Sequence, residues 1–138
     1  MIRGRLPSED IGTHLLISET FDRSRVAALR HAVAAEAGGA GLTGDRLDDF
    51  VVAVNELLTN AVRHGGGTGH LTLWCEAYAV TCEVADRGAG AGPLPREKPA
   101  PDQPGGWGLY LVRELTDTFV IKSGPEGTAV RISSRLPG

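Results

Sequence analysis

The sequence predicts an α/β (α+β) two-layer sandwich, a mixed but mostly antiparallel sheet covered on one face by about three helices. Three observations predict it. Segments with the 3.6-residue apolar period of a helix stand among segments that alternate every second residue. The alternating segments come in consecutive runs joined by short turns, which is how antiparallel strands connect. The order reads strand, helix, helix, strand, strand, loop, helix, strand, strand, with no internal repeat or linker in 138 residues, the length of one domain with a real core.

Residues 1–12 mix Arg, Gly, Pro and acids without periodicity and read as a loose lead-in to a domain over 13–136. His14-Leu15-Leu16-Ile17-Ser18 suits an edge strand. Asp22-Arg23-Ser24 offers capping oxygens for a helix over roughly 23–36, with Val26, Leu29, Arg30 and Val33 at helical spacing. Gly38 to Gly44 reads as a loop, and a second helix runs from Asp45 to His64, stopping at Gly65-Gly66-Gly67 where left-handed backbone costs least. Two alternating runs follow, 70–76 and 79–86; Leu71, Leu73 and Cys75 share one face, Val80, Cys82 and Val84 another. Asp86 has the parity of Val84, so its carboxylate is expected on the core side. Residues 87–106 are too rich in Gly and Pro for a regular element. Helical spacing resumes from Gly108 to Phe119, and strands at 119–123 and 128–135 meet at Gly124-Pro125-Glu126-Gly127.

Composition excludes several function classes. A net charge of −3 without a basic run argues against a direct nucleic-acid grip. No apolar stretch approaches the roughly 18 residues of a membrane span, and Met1-Ile2-Arg3 does not open a secretory signal, so a cytoplasmic protein away from membranes is expected. Cys75 and Cys82 are the only cysteines, a poor zinc signal. A hairpin turn at Tyr78-Ala79 would set the two thiols opposite each other, either as reduced core residues or in a redox role.

The second helix carries the chemistry. Phe50, Val51, Val54, Leu57, Leu58, Ala61 and Val62 form its apolar arc, while Glu56, Asn60 and His64 fall at successive i, i+4 positions along one edge of that arc. A row bordering the core is expected to be partly buried, and a withdrawn carboxylate needs compensation. An internal hydrogen-bond network or a plain solvated face would each account for the row. Alternatively, Asn60 is a hard oxygen ligand suited to magnesium, and Glu56 one turn away could orient or deprotonate a nucleophile.

Two glycine segments frame the Gly/Pro stretch. Asp86-Arg87-Gly88-Ala89-Gly90 follows a strand, and Gly105-Gly106-Trp107-Gly108-Leu109 opens a helix, where glycines let backbone N–H groups approach an anion. A flexible loop and helix start would look the same. Neither is a P-loop or a Rossmann fingerprint, and the lysine and HRD set of ordinary protein kinases is missing.

Taken together and in order, these segments resemble the GHKL (Bergerat-fold) ATPases, the superfamily of gyrase, Hsp90, histidine kinases and MutL. Glu56 to Gly65 corresponds to the N box, Asp86 to Gly90 to the first glycine box, Gly106 to Leu109 to the second, and Gly127-Thr128 to the closing GT motif. The single short domain looks most like the anti-sigma-factor serine/threonine kinases. That resemblance implies ATP and Mg2+ as cofactors, with Asp86 accepting from the adenine amino group, Asn60 binding the magnesium, and Thr128 supporting the adenine end. It implies that Gly88 and Gly90 allow close approach beside the nucleotide. Gly106, Trp107, Gly108 and Leu109 would wrap the phosphates under a lid at 91–105, and Glu56 would be the general base. His64 would help near the phosphates or simply make a structural hydrogen bond. Trp107 is bulky beside phosphates and could stack on the lid or a partner. The lid's prolines (Pro93, Pro95, Pro99, Pro101 and Pro104) should keep it extended. The implied partners are an anti-anti-sigma (STAS-type) protein, a sigma factor and a second copy in a homodimer. There is no helical segment with a phospho-acceptor histidine, so a complete histidine kinase is not expected. A nucleotide-dependent partner-binding module of the same fold is the alternative to a kinase.

Overall fold

The computed structural model describes residues 13–87 and 107–137, with Trp107 and Gly108 as backbone only. The elements are β1 (His14–Asp22), α1 (Val26–Gly39), α2 (Gly44–His64), β2 (Thr68–Cys75), β3 (Ala79–Asp86), α3 (Trp107–Leu115), β4 (Thr118–Gly124) and β5 (Gly127–Arg135), with a 3-10 turn over Arg23–Arg25 before α1. The lead-in expected at 1–12 and the lid expected at 91–105 fall outside the described residues.

The strands form one sheet in the order β1-β2-β3-β5-β4. Every pairing is antiparallel, so the sheet expected to be mostly antiparallel is wholly so. The cause is topological. The segment containing α3 carries the chain one position beyond β3's neighbour, and β5 then returns into the gap. β3 and β4 therefore run the same way but never touch.

Alternation puts Leu71 and Leu73 of β2, Val80, Cys82 and Val84 of β3, and Val130 and Ile132 of β5 on one buried face. Leu29 and Val33 of α1, Phe50, Val54, Leu57 and Leu58 of α2, and Leu109 and Val112 of α3 pack onto it as one core. Each of these large side chains contributes about 1.5–3 kcal/mol by leaving water. α2 is the central helix, in contact with both other helices and with β2, β3 and β5. The other sheet face is polar. There Arg131 bonds Glu83 at 2.9 and 3.0 Å and lies 5.2 Å over the Trp74 ring. On the same face His70 sits between the hydroxyls of Ser18 and Thr20, each 2.9 Å away.

Several boundaries differ from the sequence expectation for local reasons. Asp22 caps as expected, accepting from Ser24 N at 2.9 Å, but the turn it starts is 3-10 and α1 begins three residues later. Gly38 and Gly39 belong to α1 rather than to the loop, because buried Leu42 draws the chain back and its N–H bonds Ala37 O at 3.1 Å. α3 stops at Leu115, short of the predicted Phe119. The Thr116 hydroxyl bonds back to Val112 O at 2.7 Å, and the Asp117 carboxylate takes Arg46 Nη1 and Arg135 N, both at 2.6 Å. The β2–β3 turn is centred on Ala77 and Tyr78, one residue earlier than predicted, with Glu76 N bonded to Ala79 O. Cys75 therefore pairs with Val80 and Cys82 with Leu73, so the two free thiols do not face each other. Burial pushes the Cys82 thiol far up, so it stays protonated and unreactive.

Candidate functional site

The last two turns of α2 lie over the ends of β3 and β5, and one cleft opens between them and α3. Asn60, His64, Asp86 and Thr128 supply its polar groups, and Leu57, Val84, Leu109 and Val130 its apolar walls. The cleft is narrow, about 20 Å³, and a recess of about 360 Å³ at the β4–β5 hairpin shares Asp86 and Thr128 with it.

Each polar group is placed by a local rule. Asn60 and His64 are one turn apart on the same edge of α2. Asp86 keeps the parity of buried Val80, Cys82 and Val84, so it points to the helix side, half-buried. Thr128 is its register partner on β5 and is 5% exposed. Ser123 of β4 faces Thr128 from the other side, with the hydroxyl oxygens 3.2 Å apart.

Two glycines fix the depth of Asp86. The α2 cap residue Gly65 bonds back to Ala61 O at 2.8 Å. Its φ is −105°, so left-handed backbone is not its reason for being glycine; that freedom is used by Gly66 and Gly67, at +87° and +91°. A Cβ on Gly65 would sit 2.6 Å from Asp86 Cβ and overlap the carboxyl carbon. Gly127, at φ +133°, is pressed against the other side, where a Cβ would overlap the Asp86 carbonyl oxygen. Sequence reasoning treated Gly65 as a helix stop and left Ser123 out. The signal for Ser123 was its position opposite Thr128 across a two-residue Pro125-Glu126 turn.

The remaining candidates are distributed as follows. Glu56 is half-buried on α2, one turn before Asn60, and does not line the cleft. His64 lines the cleft but is exposed, which corrects the expected burial of the whole row. It is the last helical residue, and the glycines after it have no side chains to cover it. Leu109 is 4% exposed and forms a wall. Trp107 and Gly108 are the first residues of α3 by backbone, while Gly88, Gly90 and Gly106 lie outside the described residues.

The cleft sets a carboxylate seated at fixed depth, able to accept a hydrogen bond, beside apolar walls and an amide oxygen of the kind that can ligate a divalent cation. Three helices over a five-stranded antiparallel sheet are the histidine kinase-like ATPase fold. Over residues 20–134 the sequence matches the histidine kinase-like ATPase domain, and the chain belongs to that family, whose ATPase character implies ATP binding.

Within the family its relatives include serine kinases. The chain is 32% identical over 110 residues to the serine-protein kinase RsbW of Halalkalibacterium halodurans, covering 70% of this chain and 68% of that protein. It is 29% identical over 107 residues to the anti-sigma F factor of Bacillus subtilis, covering 68% and 73%. Among solved structures, the RsbU and RsbW domains of Rv1364c from Mycobacterium tuberculosis superpose with a TM-score of 0.67 at 22% identity over 87% of this chain. This chain spans 31% of that one, and the likeness is one of fold. No helix among the described residues is long and apolar enough to cross a membrane.

Proposed function

We propose that this chain is an ATP-binding regulatory serine/threonine kinase acting as an anti-sigma factor. It would phosphorylate an anti-anti-sigma protein of the STAS type and sequester a sigma factor, working as a homodimer. One observation carries the reading: a chain 32% identical to a serine-protein kinase gathers Asn60, His64, Asp86 and Thr128 around a single cleft.

In this reading Asp86 accepts a hydrogen bond from the adenine amino group, with Thr128 beside it, and Leu57, Val84, Leu109 and Val130 exclude water from the ring faces. A purine needs more room than the cleft's 20 Å³, so binding moves the Leu109 wall away from the sheet. Asn60 would hold Mg2+ through its amide oxygen, and the ion would supply charge neutralisation at the phosphates. Glu56 receives the proton of the partner's serine hydroxyl. Positioning and charge stabilisation carry most of the barrier reduction in such transfers, so the placement of Asn60 matters as much as the base.

A second reading has its own support. Glu56 stands outside the cleft lining, which favours a nucleotide-dependent binding module that orders a partner surface without transferring phosphate. Co-purification from the native cell identifies the antagonist, and radiolabelled γ-phosphate then decides. Label on a serine of that antagonist, lost in Glu56→Ala, supports the kinase. Stabilisation by ATP without label supports the module. No rise in melting temperature at saturating Mg2+-ATP overturns both.

A further inference from the structure

We propose that the open face of the sheet, away from the helices, carries a second ligand site that takes a small zwitterion of the amino-acid class. Thr20, His70, Ala85, Ala129 and Lys122 form one row across all five strands on that face. Its two central members are alanines with larger side chains on both sides, so the face dips there. At this end of the sheet lies a cavity of about 600 Å³, with Gly69, Ala85, Thr20, Thr68 and His70 in its lining, a size that suits a small organic ligand. The hydroxyls of Ser18 and Thr20 stand 2.9 Å from the two ring nitrogens of His70, so this wall is set before a ligand arrives.

The charges around the cavity define the ligand. Asp86 borders it, but alternation turns that carboxylate to the helix side and turns Arg87, the next residue, to the open face. Glu126 reaches the cavity from the β4–β5 turn. Arg87 and Glu126 are both exposed, and among the described residues neither enters an ion pair. One row inward, by contrast, Glu83 and Arg131 neutralise each other through bonds of 2.9 and 3.0 Å. Lys122 lines the adjoining hairpin recess and not this cavity. The cavity is left with one cation and one anion.

A guanidinium fork matches a carboxylate with two parallel N–H bonds, and a carboxylate accepts from an ammonium group. A ligand bearing both groups satisfies Arg87 and Glu126 together. A simple anion gains Arg87 but is repelled by Glu126, and a simple amine meets the converse. The hydroxyls of Thr20 and Thr68 donate or accept equally well, so they accommodate the rest of the ligand without selecting its charge. This site lies on the opposite side of the sheet from the nucleotide cleft and does not rest on the nucleotide reading.

The test is titration of the nucleotide-free chain with each of the standard free amino acids, followed through the backbone amide NMR signals of His70, Ala85, Arg87 and Glu126. Sodium acetate and ethylammonium chloride serve as probes carrying one charge each. Expected are saturable shifts at these four signals with at least one amino acid, and binding at least about tenfold weaker for acetate and ethylammonium. Arg87→Gln and Glu126→Gln should each weaken the amino acid by about tenfold, with melting temperatures nearly unchanged because both side chains are exposed. Ala85→Leu, which fills the dip from the solvent side, should abolish the shifts. Absence of saturable shifts with every amino acid overturns the inference. So does acetate or ethylammonium binding as tightly as the zwitterion, or unchanged affinity in both charge variants.

Discussion

The backbone of Gly65 lies directly against the side chain of Asp86, with no space between them for a methyl group. The contact joins the end of α2 to the end of β3. It sets how far the Asp86 carboxylate reaches into the cleft, and Gly127 presses on the same residue from the β5 side. The carboxylate is thus positioned by the absence of two side chains.

Gly65→Ala should therefore cost more than an ordinary glycine replacement. Overpacking of this kind costs about 1–3 kcal/mol, and displacement of Asp86 should weaken ATP binding by at least about tenfold. Gly39→Ala is the control. Its added methyl meets nothing within 4 Å, and it should be neutral or slightly stabilising. Denaturant melts with nucleotide titrations check both, and equal effects of the two substitutions would remove the special role of Gly65.

Asn60→Ala should separate the cation from the base. With Mg2+ present, its affinity for ATP is expected to fall by about tenfold or more. With EDTA in place of the metal, variant and wild type should bind ADP alike. The same loss under both conditions would place Asn60 elsewhere than at a metal.

Asp117 ties three elements together far along the sheet from Asp86. Its Oδ2 accepts from Arg46 Nη1 on α2 and from Arg135 N on β5, each at 2.6 Å. Asp117→Ala removes a charge-assisted hydrogen bond from the Arg135 backbone N–H and should cost about 1–2 kcal/mol. Arg46→Ala removes only a partly exposed ion pair and should cost under about 1 kcal/mol. Nucleotide affinity should not change in either. Urea melts decide, and a neutral Asp117→Ala would refute the account.

Acid should loosen the β1–α1 junction. Hydrogen bonding and charge from Arg25 hold the Glu19 carboxyl below its usual range, and hydrogen bonds from the Ser24 side chain and backbone do the same for Asp22. Depressed carboxyl values mean that this stabilisation is present at neutral pH and disappears as pH falls through the lowered folded-state values. In Arg25→Ala the Glu19 share should vanish, flattening the fall of melting temperature with acid. Parallel profiles for wild type and variant would contradict this.

Much of the fold was legible in the chain because local patterns carry it. The period of Val54, Leu57, Leu58 and Ala61 named the face of α2, and the parity of Val80, Cys82 and Val84 carried Asp86 to the helix side before any coordinates. Turn placement was less legible. Ala77-Tyr78 contains no glycine, asparagine or proline, and a shift of one residue changes which thiol meets which strand partner. The strand order was hidden for a different reason: it depends on where a crossover lands, and nothing in β4 or β5 alone encodes that.

By itself the sequence determined the elements, the buried face of each, the ordered motifs that mark an ATPase of the histidine kinase-like family, and the residue types available to a nucleotide. Those are consequences of spacing along one chain. Only the tertiary structure decided that Gly65 and Gly127 seat Asp86, that Ser123 completes a row with Thr128, and that Glu56 stands back from the cleft. These relations join residues far apart in sequence, and close packing between elements, not periodicity within one, sets them.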